Sequence, residues 1–261
     1  MSRPAPALPG TDVREVPPLA GDQLHHAIHG EREYISAATS WLPHVHPFHE
    51  LIWAERGVLI IEDAARVWAL SPGSALWIPA GHRHSGRIPS HAEYRAAFLP
   101  PATVSPLGDR PVSVRATALL RELLLRLEDD LPAQQRSRIE AVIVDQLEPA
   151  EDAPELTLPA DPRVLAIAHA ITADPGGDHT LSAWAARAGL STRTVTDLFR
   201  QSTGLSFREW LTHARVQRAT ALLEDRTPVQ EVAEMVGFRS ASAFGSAYRR
   251  VTGTSPGRRR P

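Results

Sequence analysis

The chain of 261 residues has no cysteine, which excludes a disulfide framework, a thiol nucleophile and a thiolate-bound metal. It has no lysine either, since all 28 basic residues are arginine. That bias points to genomic base composition rather than to a site, although arginine does serve phosphate contacts. No apolar run approaches the roughly eighteen residues of a membrane span, and the N-terminus lacks the basic-then-apolar layout of a secretion signal. A cytoplasmic protein with no membrane partner is the expectation. The rest of the composition is ordinary, at 43% hydrophobic and 22% charged residues. The net charge of −2 hides an asymmetry: residues 161–261 hold 14 Arg against 9 acids, and residues 1–160 hold 14 against 21. A basic C-terminal part joined to an acidic N-terminal part suits a DNA-binding module carrying a module of another kind. Nine of the 12 histidines lie before residue 92, and that clustering needs a chemical reason.

Residues 1–24, with Pro4, Pro6, Pro9, Pro17 and Pro18, read as a mobile arm. From 25 to 110, short apolar runs alternate with turn residues: Glu50-Leu-Ile-Trp-Ala, Val58-Leu-Ile-Ile-Glu, Arg66-Val-Trp-Ala-Leu and Ser74-Ala-Leu-Trp-Ile. Many short strands at even spacing predict a sandwich or small barrel. Residues 111–148 change period and predict a helical hairpin. One helix lies within Pro111–Asp130 and carries Ala118, Leu119, Leu123, Leu125 and Leu127, and a second spans Gln134–Leu147. So much leucine suits packing on the barrel, on a second copy in a homodimer, or on both. Residues 149–162, with four prolines, read as an extended linker. The fold class is α+β in two domains, the second of them all-α.

The C-terminal domain, 163–261, is built around Leu181–Phe199. Leu181, Trp184, Ala185 and Ala188 mark one face of a short helix. Gly189-Leu190-Ser191 is a turn in which glycine can take the left-handed conformation and serine can cap the next helix. The next helix buries Val195, Leu198 and Phe199 and shows Arg193, Thr194, Thr196, Asp197 and Arg200. Helix, short turn and polar-faced helix is the form of a helix-turn-helix. Ser206-Phe-Arg-Glu209 is a capping box that starts a long helix reaching Leu223. Val229–Tyr248 then repeats the pattern, with Ala233 and Gly237 spaced as Ala185 and Gly189 are, and Phe244, Ala247 and Tyr248 in the buried places. Two units joined by a helix of about 17 residues, some 26 Å long, suit two reading helices in successive major grooves.

Residues 163–260, ending in Gly253-Thr-Ser-Pro256 and arginine, resemble the DNA-binding domain of the AraC/XylS family of transcription regulators. The resemblance implies seven helices, with the third and sixth entering promoter double-stranded DNA. By position, Arg193, Thr196 and Asp197 would face base edges, Arg193 above all because arginine can hold guanine bidentately. Arg200 would meet a phosphate. The second reading helix shows short side chains, Ala241, Ser242 and Ser246, near Ser240. It should mostly grip the backbone through Arg239, Arg249 and Arg250, so the first half-site should be read more strictly.

The N-terminal histidines form a second pattern: His44-x-His46-x-x-x-Glu50-x6-Gly57, then Gly73-x5-Pro79-x-Gly81-x-x-His84. On a strand His44 and His46 share a face. Glu50 and His84 can join them as ligands for a divalent ion such as Zn, Ni, Mn or Fe. The spacing resembles the two motifs of the cupin fold, although Ile88 stands where the second motif usually has asparagine. Such a barrel is common as the sensor of AraC-type regulators. The leading reading is a regulator that responds to a small molecule or metal, with RNA polymerase as a further partner. The alternatives are a metal-dependent cupin enzyme fused to a DNA-binding domain, hydrogen-bonding histidines that merely line a pocket, and a metal-stabilised barrel that only dimerises.

Overall fold

The computed structural model describes residues 11–15, 28–70, 72–88, 91–103, 107–150, 155–224 and 227–257. Most of the proposed arm, 1–24, lies outside the described residues, as do 151–154 of the proposed linker. The chain divides into two compact units, one holding the described residues up to Ile61 and 70–150, the other holding 62–69 and 155–257.

In the first unit β1 (Asp12–Arg14) pairs parallel with β3 (Thr39–His44), which pairs with β8 (His84–Ile88), and β8 lies beside β5 (Leu59–Glu62). The second sheet runs β10 (Val112–Arg115), β7 (Ser74–Ile78), β4 (His49–Arg56), β9 (Ala92–Leu99), β2 (His29–Ile35). Central β4 is buried on both faces from Glu50 to Ala54, which is why its sequence reads as an apolar run rather than a strict alternation. Its Leu51 and Trp53 join Trp77 and Ala97 in one core with the hairpin of α1 (Ala118–Arg126) and α2 (Ala133–Asp145). The hairpin therefore packs on the outer face of this sheet.

Val112–Arg115, inside the span expected to be a helical hairpin, is a strand paired with β7. In α1 Leu120 and Leu124 are buried, joined by Leu127 just past its end, while Leu119 is 53% exposed.

The second unit opens with β6 (Arg66–Leu70) paired antiparallel with β11 (Glu155–Thr157), so part of the expected linker is a strand. Six α-helices follow: α3 (Pro162–Ala173), α4 (Leu181–Ala188), α5 (Thr192–Thr203), α6 (Phe207–Glu224), α7 (Val229–Met235) and α8 (Ala241–Thr252). The implied seventh helix has no counterpart among the described residues, which end at Gly257. The expected caps are present. Ser191 Oγ accepts from Thr194 N–H at 3.0 Å, and Gly189 is left-handed at φ +66°. In the capping box Glu209 accepts from Ser206 N–H at 2.8 Å.

Helix α6, 18 residues and about 27 Å long, serves two cores. Its first turns pack Phe207 and Trp210 on Phe199 of α5, with ring centroids 5.5 and 5.3 Å apart. Its later turns pack Val216, Ala219 and Leu222 on Val232, Phe244 and Tyr248 of α7 and α8. It also meets the strand pair, where Trp210 Nε1 donates to the Thr157 carbonyl at 2.7 Å and Gln217 Nε2 to the Val67 carbonyl at 2.9 Å. Arg215 of α6 ties down the α3–α4 loop by donating to the carbonyls of Pro175 at 3.0 Å and Gly177 at 3.2 Å. In that loop a Cβ on Gly176 would strike the Met235 carbonyl oxygen, and one on Gly237 would lie 2.7 Å from the Gly176 carbonyl oxygen. The two helix-turn-helix units are thus held together by backbone in close contact.

Gly176→Ala is expected to destabilise this unit by about 1–3 kcal/mol, as overpacking does. Gly245→Ala, inside α8 with open space around its Cβ, should instead be neutral or stabilising by up to about 1 kcal/mol. Denaturant midpoints of the two variants check the contrast.

Candidate functional site

Three strand-end positions bring the histidines together. β3 and β8 pair His44 opposite His84, with a register break between Trp41 and His44 that re-aims the strand end. His46, expected on the same strand as His44, lies just past the end of β3, and Glu50 projects from β4. The ligand atoms of His44, His46 and His84 all lie within 4.8 Å of one another. Glu50 closes the group, its Oε2 at 3.0 Å from His46 Nε2 and 3.4 Å from His84 Nε2. His46, Glu50 and His84 are buried and His44 is half-buried.

Every ring is oriented by main chain. Nδ1 of His44 donates to the Leu42 carbonyl at 2.9 Å, that of His46 to Phe48 at 2.7 Å and that of His84 to His82 at 3.0 Å. A carbonyl only accepts, so each Nδ1 carries the hydrogen and each neutral ring presents the lone pair of Nε2. Two such lone pairs then face a carboxylate oxygen, an arrangement that requires a proton or a metal cation between them. Phe98 packs edge-on against His46 at 5.7 Å between centroids. His49 stands apart from the cluster, stacked on Trp77 at 4.8 Å and accepting from Ala80 N–H at 3.1 Å. Ile88, in the place of the usual asparagine, is buried in the core.

Burial disfavours the charge on Glu50, but the hydrogen bonds of His46 and His84 outweigh it and bring the carboxyl down to about 2. Burial likewise works against charge on His46, yet the bond to Glu50 and its negative charge raise that imidazole above its ordinary range. Burial and the neighbouring His84 push His44 down.

In the second unit α5 and α8 bury Val195, Phe199, Phe244, Ala247 and Tyr248, as the periodicity requires, while Leu198 is only partly buried. Arg193, Asp197 and Arg200 of α5 are exposed, and so are Arg239, Ser240, Ser242, Ser246, Arg249 and Arg250 at α8. Arg193 is 91% exposed, with its Nε 3.6 Å from Asp197 Oδ2 one turn on. Thr194 and Thr196 are half-buried. The Thr196 hydroxyl donates to the Thr192 carbonyl at 3.0 Å, and that of Thr194 meets Ser191 Oγ at 2.8 Å. Ser240 is the N-cap of α8, its Oγ accepting from Ala243 N–H at 3.2 Å. Sequence reasoning did not find Arg215 and the Gly176–Gly237 approach that set the two units against each other. The Pro-Gly-Gly of the loop was the one visible signal.

Two polar-faced helices fixed on one connecting helix in one unit, and a histidine cluster in a separate sheet-rich unit, suit a double DNA reader joined to a module of another kind. Comparison with known proteins agrees. Residues 30–143 match the family described as AraC-like ligand binding domain, and residues 184–260 match the helix-turn-helix domain family. Together these spans take in well over half of the chain.

The chain is 29% identical over 221 residues to the HTH-type transcriptional regulator NimR of Escherichia coli K12, covering 82% of this chain and 80% of NimR. It is 44% identical over 81 residues to the transcriptional activator NphR of a Rhodococcus species, covering 31% of this chain and 24% of NphR. Among solved structures, the DNA-binding domain of AdpA in complex with a target DNA is 37% identical over 38% of this chain and 88% of that one, with a TM-score of 0.34. The protein belongs to the AraC family of DNA-binding transcription regulators with a ligand-binding domain, and nothing in these comparisons supports the enzyme reading. No helix among the described residues is long and apolar enough to cross a membrane.

The Glu50 pair has a signed pH dependence. Because the Glu50 pKa is lowered, its contribution is present above the ordinary carboxylate range and lost as pH falls towards 2. Because the His46 pKa is raised, its contribution is present below about pH 6.5 and lost as pH rises through the raised value. In metal-free protein the Tm difference between wild type and Glu50→Gln should therefore be larger near pH 6 than at pH 8.5, and should shrink again below about pH 4. Thermal melts across that range test it.

Proposed function

We propose that the first unit binds a divalent metal ion, Zn, Ni, Mn or Fe, through His44, His46, Glu50 and His84. In this reading the ion is either the signal or the anchor for a small oxygen-bearing effector. The carrying observation is the set of imidazole Nε2 lone pairs directed at one buried carboxylate. Three nitrogens and one oxygen, with each ring held from behind by a main-chain carbonyl, fit such an ion. The bound metal would supply Lewis acidity and an open coordination position for an effector. The protein's own residues hold the rings, exclude water and keep Glu50 ionised.

Occupancy must favour one arrangement of the protein over another, or it shifts nothing. The output is control of promoters by a homodimer joined through the α1–α2 hairpin, with contact to RNA polymerase where the effect is activation. Exposed Leu119 and Val142 on that hairpin support the dimer reading. On DNA, Arg193 reads a guanine with Asp197 steering its guanidinium, and Thr194 and Thr196 play lesser parts. Arg200, Arg239, Arg249 and Arg250 hold phosphates, while Ser240, Ser242 and Ser246 approach the second half-site closely without reaching many bases.

Elemental analysis of protein purified without added metal should find about one ion per chain, lost in His84→Ala. No stoichiometric metal even after reconstitution would sink the metal reading and leave pocket-lining histidines. Arg193→Ala should cost about 1–3 kcal/mol of operator binding and relax specificity at one base pair, whereas Arg250→Ala should weaken all sequences alike and reduce the salt slope by about 1. Binding titrations on operators scanned base by base decide between these roles. Equal sensitivity of both half-sites would contradict the stricter reading by α5.

A further inference from the structure

The outer face of the second sheet carries a cavity that the histidine cluster does not use. It measures about 510 Å³ and lies among β2, β9 and the α1–α2 turn, within the roughly 300–1,000 Å³ range of small-molecule sites. Trp53, Ala97, Leu124 and Leu127 make its apolar lining, and the acidic run Glu128-Asp129-Asp130 borders it. Side chains alternate along β4, so Trp53 points away from Glu50 and the two places lie on opposite faces of one sheet.

The chemistry centres on Arg95, which sits opposite Trp53 in the strand register and is only 7% exposed. Its Nε makes no hydrogen bond and stands 3.5 Å from Glu55 Oε1, and Glu55 is itself held by Trp53 Nε1 at 2.8 Å. The close partner of Arg95 is Glu128, whose side chain is 46% exposed on the turn. A buried guanidinium needs a carboxylate, and here the nearest one is supplied by a residue half in water. The other buried guanidinium at the cavity, Arg136, is committed to the carbonyls of Leu127 and Ile28, both at 2.8 Å, and to Glu140.

We infer that this cavity binds a small apolar carboxylate. The acid's carboxylate takes the place of Glu128 on Arg95, and its body lies on Trp53, Leu124 and Leu127. One carboxylate replaces another, so the charge beside Arg95 is unchanged while Glu128 moves into water. An organic cation, which the acidic run alone would suggest, would sit against the guanidinium and be repelled. Binding cuts the tether between β9 and the turn of the helical hairpin, which gives an organic acid a way to act on the hairpin. The inference does not rest on the metal reading.

The test is calorimetric titration of the full chain, treated with chelator, with butyrate, hexanoate, octanoate and benzoate, and with hexylamine as the cationic probe. At least one acid should bind. Glu128→Gln, on the exposed turn, should bind it about tenfold more tightly because a neutral amide competes less for Arg95. Arg95→Gln, checked for folding by circular dichroism, should lose binding. If Arg95→Gln does not fold, Glu128→Gln decides the matter. The proposal is overturned if no acid binds either protein, if hexylamine binds instead, or if Glu128→Gln leaves the affinity unaltered.

Discussion

Helix α6 has to complete two hydrophobic cores at once and also satisfy two main-chain carbonyls of the strand pair, and the architecture of the second unit follows from that. Trp210 near its start and Val216 to Leu222 further on belong to different cores, so neither helix-turn-helix can turn about the helix without opening its own packing. Arg215 lies between the two sets and reaches back to the loop before α4. The spacing of the two reading helices is therefore a property of the folded unit, set by close-packed contacts rather than by the length of a linker. A reader built this way suits a bipartite operator, because much of the orientation needed for the second contact exists before the first is made.

The sensor unit uses burial in the opposite sense. Its interior holds a charged group among aromatic and aliphatic side chains, and the group is tolerable because two imidazoles, His46 and His84, face it. Main-chain carbonyls fix each of the three rings from behind, so their orientation is set by the fold. Sheet pairing delivers His44 and His84, the turn after β3 delivers His46, and the facing sheet delivers Glu50.

Much of this was legible in the chain because local patterns carried it. The 3.6-residue spacing in α5 and α8 named the residues that are buried, and the capping residues Ser191, Ser206 and Glu209 marked where helices begin. The nearness of His44, His46, Glu50 and His84 was legible because the motif spacing and two glycine-proline turns limited where four side chains could go, although His46 arrives from the turn after β3 rather than by strand alternation. What stayed hidden depended on distant partners. Val112–Arg115 is a strand only because β7 lies beside it, and Glu155–Thr157 only because β6 does. Helix α1 has leucine on nearly every side, so its sequence held no periodic signal to favour Leu120 and Leu124 over Leu119. The clasp of Gly176 against the α7–α8 turn joins segments some sixty residues apart in the chain, and no local pattern announces such a contact.

The DNA-reading unit is not one continuous stretch of chain. Residues 62–69 belong to it, and the Val67 carbonyl is the buried partner of Gln217. Recombination that exchanges sensors at the junction near residue 150 would take Val67 away with the departing sensor. The reader left behind would lose the hydrogen bond from Gln217 to Val67 unless the incoming sensor brought a strand of the same kind. Sensor and reader in such a protein are thus constrained to be inherited together, or to be exchanged only among barrels that carry an equivalent β6.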